Sequence, residues 1–178
     1  LKMNSNQKIG IVGASTTGTL ALTAASYFED ITLTIGLTPS YFIWQGFMQG
    51  KRDGCKEWPM EGESLFSYKE EPLPYMPFCY KHPDYWHVIE KETKRTGDMI
   101  NSRKLFDDSE KAHPITEDEI IKIEKIHGTV LLIGAEDDVL WDTVKYIRRM
   151  EQRMKEHPHT CRVESVIYEH ATHFVFPE

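Results

Sequence analysis

Cysteine is scarce in this chain of 178 residues, and the three present, Cys55, Cys79 and Cys161, are odd in number, far apart and without C-x-x-C spacing. That excludes a disulfide framework and a zinc knuckle, and the thiols read as reduced and structural. No apolar run reaches the roughly 20 residues a membrane span needs, and no basic region followed by an apolar one opens the chain. Neither a membrane partner nor secretion is expected, which leaves a cytoplasmic location by default. Basic excess is absent too: 21 Lys and Arg stand against 28 Asp and Glu, a formal charge of -7. A surface of that sign does not neutralise phosphates, so nucleic acid is not an expected partner. A local basic patch such as Arg148 and Arg149 with Arg153 reads as a solvated helix face or as a contact for an anionic ligand. What is present is core, with 40% hydrophobic residues in a length suited to one globular domain.

Residues 8–12 predict a strand, 16–28 a helix, and 31–37 a second strand whose β-branched run (Ile31, Thr32, Thr34, Ile35) suits a buried parallel position. Further strands follow at 129–133 and 162–168, separated by a helix at 142–156. Strands alternating with helices predict an α/β fold with a parallel sheet covered on both faces. Between them, residues 38–128 are far longer than an ordinary connection. This segment is punctuated by Pro39, Pro59, Pro72, Pro74, Pro77 and Pro83. It then shows helical patterns at 84–96, 98–111 and 116–126, the last opened by the capping box Thr116-Glu117-Asp118-Glu119. It holds 13 of the 20 Phe, Trp and Tyr residues, Trp44, Trp58 and Trp86 among them. An insertion this apolar reads as a cap over an acyl-binding pocket, or as a subdomain with its own small core, and the two are compatible.

The chemistry is concentrated where the first strand meets the first helix. Lys8-Ile9-Gly10-Ile11-Val12-Gly13-Ala14-Ser15 carries an apolar run into a tight Gly-x-Ser turn, and small apolar residues follow. A sharp strand-to-helix turn of this kind lifts a serine hydroxyl out of the sheet and aims it at substrate, which makes Ser15 the expected nucleophile and the Thr16 backbone N–H the first oxyanion donor. A phosphate loop is excluded because Thr19-Leu20 stands where Lys and Ser/Thr are required. A dinucleotide fingerprint is excluded because Gly10, Gly13 and Gly18 do not fit its spacing. The usual elbow pattern has a second glycine where this chain has Thr17, with Gly18 one residue later, so a slightly opened or differently packed turn is expected.

An acid and a base follow in the order serine, acid, histidine. Gly134-Ala135-Glu136-Asp137-Asp138 trails the third strand, and Asp137 is the expected orienting carboxylate. Asp138 is the nearest competitor, Glu136 sits one residue further back, and Asp142 reads as the cap of the next helix. His173 lies in the loop after the last strand, where a general base can reach Ser15, whereas His170 is closer to the strand end and reads as structural. His82, His87, His113, His127, His157 and His159 are scattered. No metal and no cofactor is expected from this set.

Gly13-Ala14-Ser15, the strand at 31–37, Leu132-Ile133-Gly134-Ala135-Glu136-Asp137-Asp138 with Trp141, and Tyr168-Glu169-His170-Ala171-Thr172-His173-Phe174 together resemble the C-terminal catalytic domain of acyl-CoA thioester hydrolases and bile acid-CoA:amino acid N-acyltransferases, in particular its bacterial members. The resemblance covers nearly the whole chain. It implies an α/β-hydrolase fold, Ser15 as nucleophile, Asp137 as acid, His173 as base, and a small-molecule acyl thioester or ester substrate, CoA-linked in the thioester case. The chain then divides into the nucleophile strand, elbow, helix and next strand (1–37), a cap or lid (38–128), and the acid- and histidine-bearing strands (129–178). Only residues 1–7 precede the nucleophile strand, so the expectation is the C-terminal portion of a longer hydrolase, with no candidate for the second oxyanion donor. The open edge of that strand is then expected to meet a second copy of the chain or a separate N-terminal segment. Three functions fit these residues: an acyl thioesterase, a carboxylesterase or dienelactone-hydrolase-like enzyme, and a catalytically silent scaffold or ligand-binding remnant.

Overall fold

The computed structural model describes residues 8–46, 63–81 and 84–175. Cys55, Trp58, Pro59, His82 and Pro83 lie outside them. The chain divides into two compact units: Leu1–Tyr41, Ile121–Asp138 and Asp142–Glu178 form the first, and Phe42–Ile120 with Val139–Trp141 the second.

The first unit is mixed α/β. In chain order it contains β1 (Ile9–Ala14), α1 (Thr16–Tyr27) and β2 (Ile31–Leu37), then β5 (Thr129–Ala135), α4 (Thr143–Glu156) and β6 (Arg162–Tyr168). The strands form one sheet in the order β1-β2-β5-β6, and all three pairings are parallel. The two connections with α1 and α4 supply the crossovers that parallel strands require.

The two helices share a face of this sheet. A Cβ at Gly36 would meet Leu22 of α1, and one at Gly134 would meet Ile147 and Thr143 of α4. Gly36 stands opposite Leu132, which shares its side of β5 with Gly134 because strand side chains alternate. On the other face lie Val12, Leu33 and Val166, which stay 64%, 43% and 41% exposed. Among the described residues the expectation of a sheet covered on both faces is therefore corrected: α1 and α4 cover one. Their apolar stripes (Ala21, Leu22 and Ala25; Tyr146, Ile147 and Met150) are buried against it, together with Val130 and Leu132.

In the basic run on α4, Arg148 is exposed, as a solvated face predicts, but Arg153 departs from that reading. Arg153 is buried, and its Nε and Nη2 donate to Glu124 Oε2 and Oε1 at 2.6 and 2.7 Å. A half-buried carboxylate held by two N–H groups of a buried guanidinium is a fixed structural pair.

The second unit contains β3 (Ser67–Tyr68), β4 (Glu71–Pro72), α2 (Asp84–Thr96) and α3 (Arg103–Ala112). Its core is aromatic. Trp44 stacks on Phe78 at 5.7 Å and meets Phe106 edge-on at 4.8 Å, and Phe106 meets Trp141 edge-on at 5.2 Å, geometries that suit the ring quadrupoles. Two helix readings change. The pattern over 98–111 becomes helical only from Arg103, because the Ser102 hydroxyl turns to the Leu140 carbonyl at 2.9 Å and its N–H to that of Val139 at 3.1 Å. Residues 116–126 form two short 3-10 turns, Glu117–Glu119 and Ile123–Lys125. The capping contact from Thr116 N–H to Glu119 Oε2 is present at 3.3 Å. The α-helix does not continue from it, because Glu119 O accepts from Ile43 N–H and Ile121 N–H donates to Tyr41 O.

Candidate active site

Three strand ends build the site. β1 runs into Ser15, which holds φ 56° and ψ −128° before α1 begins. A non-glycine residue at positive φ is uncommon, and here neighbouring backbone secures it: Ser15 N–H donates to Leu37 O at 2.8 Å, and Ser15 O accepts from Thr19 N–H at 3.0 Å.

The sequence around the turn is what such a bend needs. A Cβ at Gly13 would fall inside the Thr17 carbonyl, so only glycine fits there. Close passage of helix and strand occurs at Gly18, where a Cβ would lie 3.0 Å from both the Gly13 and Leu37 carbonyl oxygens. Thr17, the departure from the usual elbow, does not open it. Its hydroxyl donates to Ala14 O at 2.7 Å and accepts from Ala14 N–H at 3.0 Å, clasping the end of β1 to the first turn of α1. The Thr16 N–H lies in that first turn, where backbone donors have no intrahelical acceptor.

β6 leads to His173, 2% exposed. Its Nε2 is 2.7 Å from Ser15 Oγ, and its Nδ1 is 3.0 and 2.9 Å from the two carboxylate oxygens of Asp138. The carboxylate on the imidazole is thus that of Asp138, not Asp137. The cause is backbone pairing that outlasts β5: Glu136 N–H donates to Tyr168 O at 3.0 Å and Asp137 N–H to Ala171 O at 3.2 Å. These bonds carry the chain two residues further before it turns inward. Asp137 and Glu136 are left exposed, and Asp138 is buried at 2%. His170 is exposed. Asp142 caps α4, accepting from Lys145 N–H at 2.9 Å.

Ser15, Asp138 and His173 therefore meet at the carboxyl ends of β1, β5 and β6. β2 lies between β1 and β5, so the strands that carry serine and acid are not direct neighbours. The end of β2 contributes Thr38, a residue that sequence reasoning passes over. It is fully buried, takes φ 44°, donates its N–H to Ile133 O at 2.6 Å and its hydroxyl to the backbone carbonyl of His173 at 2.9 Å. A threonine before Pro39 is expected to be extended, so its left-handed conformation is a strained feature held by the site. Thr143, the first residue of α4, donates its hydroxyl to Asp138 Oδ2. Neither contact has a local sequence signal, since each partner is reached only through the fold.

Chemically, a hydroxyl, an imidazole and a carboxylate in a hydrogen-bonded line can move a proton from oxygen to nitrogen while the carboxylate supports the positive ring. Among the described residues no group of three or more His, Cys, Asp or Glu side chains is placed to hold a metal ion, and no helix is long and apolar enough to cross a membrane. In comparisons with known proteins, the model of the family described as BAAT / Acyl-CoA thioester hydrolase C terminal matches residues 2–177. No curated protein matches the chain.

Proposed function

Since the chain belongs to the BAAT / acyl-CoA thioester hydrolase C-terminal family, an α/β-hydrolase-like domain, we propose that it is a serine hydrolase of acyl thioesters or esters working through Ser15, His173 and Asp138. The observation that carries this reading is the unbroken line from Ser15 Oγ to His173 Nε2 at 2.7 Å and from His173 Nδ1 to Asp138 at 2.9 Å. Hydrogen-bond reach is the first requirement of a base acting on a nucleophile.

In the proposed reaction His173 Nε2 takes the Ser15 proton as Oγ attacks the acyl carbonyl carbon. The oxyanion that forms lies toward the Thr16 N–H; loss of one oxyanion donor, a side-chain amide in a serine protease, costs about 10²- to 10³-fold in rate. Collapse expels the thiolate or alkoxide, which receives the proton from His173 and leaves an acyl group on Ser15. Water then attacks this ester with the same base assisting, restoring the free serine. An amine in place of water completes an acyl transfer by the same two steps.

A fluorophosphonate probe tests the reading, because it labels a serine only when a base activates it and the turn exposes it. The folded chain is expected to be labelled, and Ser15→Ala and His173→Ala to be blank. A folded, unlabelled wild-type chain would instead favour the scaffold. Turnover of acyl-CoA against p-nitrophenyl ester panels then separates thioesterase from carboxylesterase.

A further inference from the structure

We propose that Thr143 is a positioning residue, whose hydroxyl holds the Asp138 carboxylate in the plane that serves His173. The inference rests on the serine-hydrolase reading and adds to it a residue from another element.

An ionised carboxylate only accepts hydrogen bonds, so the hydroxyl must be the donor to Asp138 Oδ2. The same oxygen is 2.9 Å from His173 Nδ1, and Oδ1 is 3.0 Å from it. Imidazole and hydroxyl thus converge on one carboxyl group that is itself only 2% exposed, where a donor that is lost is not replaced by bulk water. A carboxylate held on one side by a neutral donor turns less freely on its Cβ–Cγ bond. Its orientation decides which ring nitrogen keeps the proton: with the carboxylate facing Nδ1, the proton stays there and Nε2 remains open to Ser15.

Thr143 is built to hold that position. It is fully buried, and as a β-branched residue in the first turn of α4 it has few χ1 choices. The turn is pinned by the Asp142 cap at 2.9 Å. The helix also comes close to β5 because position 134 is glycine: a Cβ there would lie 3.3 Å from Thr143 Cγ2 and 2.7 Å from Ile147 Cδ1. Gly134, the Asp142 cap and the Thr143 methyl thus fix the hydroxyl before substrate arrives, which is how a preorganised site keeps its supporting groups in place.

The test compares Thr143→Val, Thr143→Ala and Thr143→Ser in the full chain, with p-nitrophenyl butyrate as substrate and Ser15→Ala as the background control. Val and Ala are expected to lower kcat at least about tenfold with KM unchanged, the size of effect that loss of a hydrogen bond to a charged group produces. Ser, which keeps the hydroxyl, is expected to restore kcat. In parallel, the long-range ¹H–¹⁵N spectrum of the His173 ring, which reads the tautomer without turnover, should show the Nδ1–H form in wild type and Ser, and a mixture in Val and Ala. Unchanged ring spectra and kcat in folded Val and Ala variants would overturn the proposal, as would a Ser variant as impaired as Ala, since the methyl would then be the part that matters. Absence of Ser15-dependent turnover in wild type would sink the hydrolase reading instead, and the ring spectra would still decide whether Thr143 holds the Asp138–His173 pair.

Discussion

Replacing one carboxylate oxygen by an amide separates Asp138 from its neighbour more sharply than any truncation. In Asp138→Asn the side chain keeps its size inside a site where the acid is 2% exposed, so packing changes little, but the negative charge facing His173 Nδ1 is gone. The amide can also offer its oxygen to only one of two neighbours that now share the carboxylate, the imidazole nitrogen at 2.9 Å and the Thr143 hydroxyl. If the oxygen turns to Thr143, the NH2 group faces Nδ1, the ring proton is driven to Nε2, and Nε2 can no longer take the Ser15 proton. If the oxygen turns to the ring, the tautomer survives but nothing balances the imidazolium that forms. Loss of the correct tautomer in this arrangement lowers kcat by about 10⁴-fold in a serine protease. About 10³- to 10⁴-fold is expected here, equivalent to roughly 4 to 5.5 kcal/mol of transition-state stabilisation. Asp137→Asn should leave kcat within about twofold, because that side chain is exposed and its fixed contact is a backbone one to Ala171, and exposed substitutions away from special features change little. Steady-state kinetics on p-nitrophenyl butyrate and butyryl-CoA, with melting curves to confirm folding, measure both. A kcat for folded Asp138→Asn within tenfold of wild type, or a collapse confined to Asp137→Asn, would refute the reasoning.

The elbow and the buried ion pair give two further tests. Thr17→Val keeps the shape of the side chain but removes both hydroxyl bonds to Ala14, so a loss of about 1 kcal/mol and a Tm lower by about 2–4 °C are expected; an unchanged Tm would mean that the clasp adds nothing. Arg153→Met leaves the half-buried Glu124 carboxylate without its guanidinium and should cost about 2–3 kcal/mol in urea unfolding, below the cost of breaking a fully buried pair. Burial pushes the Glu124 carboxyl up, but the Arg153 hydrogen bond and charge, with a backbone hydrogen bond and the charge of His157, together outweigh it and hold the group below its ordinary value. The wild-type pair therefore contributes fully above the ordinary Glu range and progressively less as pH falls below it, and the gap between wild type and Arg153→Met should narrow in acid.

Local pattern was enough to read what local physics decides. β2 and β6 run over residues 31–37 and 162–168, as their alternation and β-branched content predict, and α2 covers 84–96 because its amphipathic period is uninterrupted. Ser15 was legible because Gly13 and Gly18 mark a turn too tight for side chains. The carboxylate that meets the imidazole was read one residue early, since nothing in Glu136-Asp137-Asp138 shows that backbone pairing with Tyr168 and Ala171 continues past β5. The 116–126 segment fails as a helix for a similar reason: its capping box is genuine, but the backbone at Glu119 and Ile121 is engaged by residues about 80 positions earlier in the chain, and tertiary pairing overrides propensity. Thr38 and Thr143 were invisible because their importance lies in partners that the sheet, not the sequence neighbourhood, brings to them.

That lacing of strand ends also explains how the site tolerates strain. Ser15 and Thr38 both sit at positive φ without being glycine, a conformation that costs about 1–3 kcal/mol each and persists only where the surroundings over-determine it. Here the over-determination is a relay across the sheet edge. The Ser15 N–H reaches the end of β2 at Leu37 O, and the Thr38 N–H reaches β5 at Ile133 O. The Thr38 hydroxyl reaches the His173 carbonyl beyond β6, and the Asp137 N–H binds the same loop at Ala171 O. Together these bonds tie the segments that carry Ser15, Asp138 and His173 to β2, to β5 and to the loop after β6, so the relative positions of the three residues follow from the parallel sheet and the backbone bonds that extend it. Ser15 raised on a strained turn and His173 held through its backbone keep the hydroxyl and the imidazole free of that task, because the loops are held by backbone groups and by the Thr38 side chain.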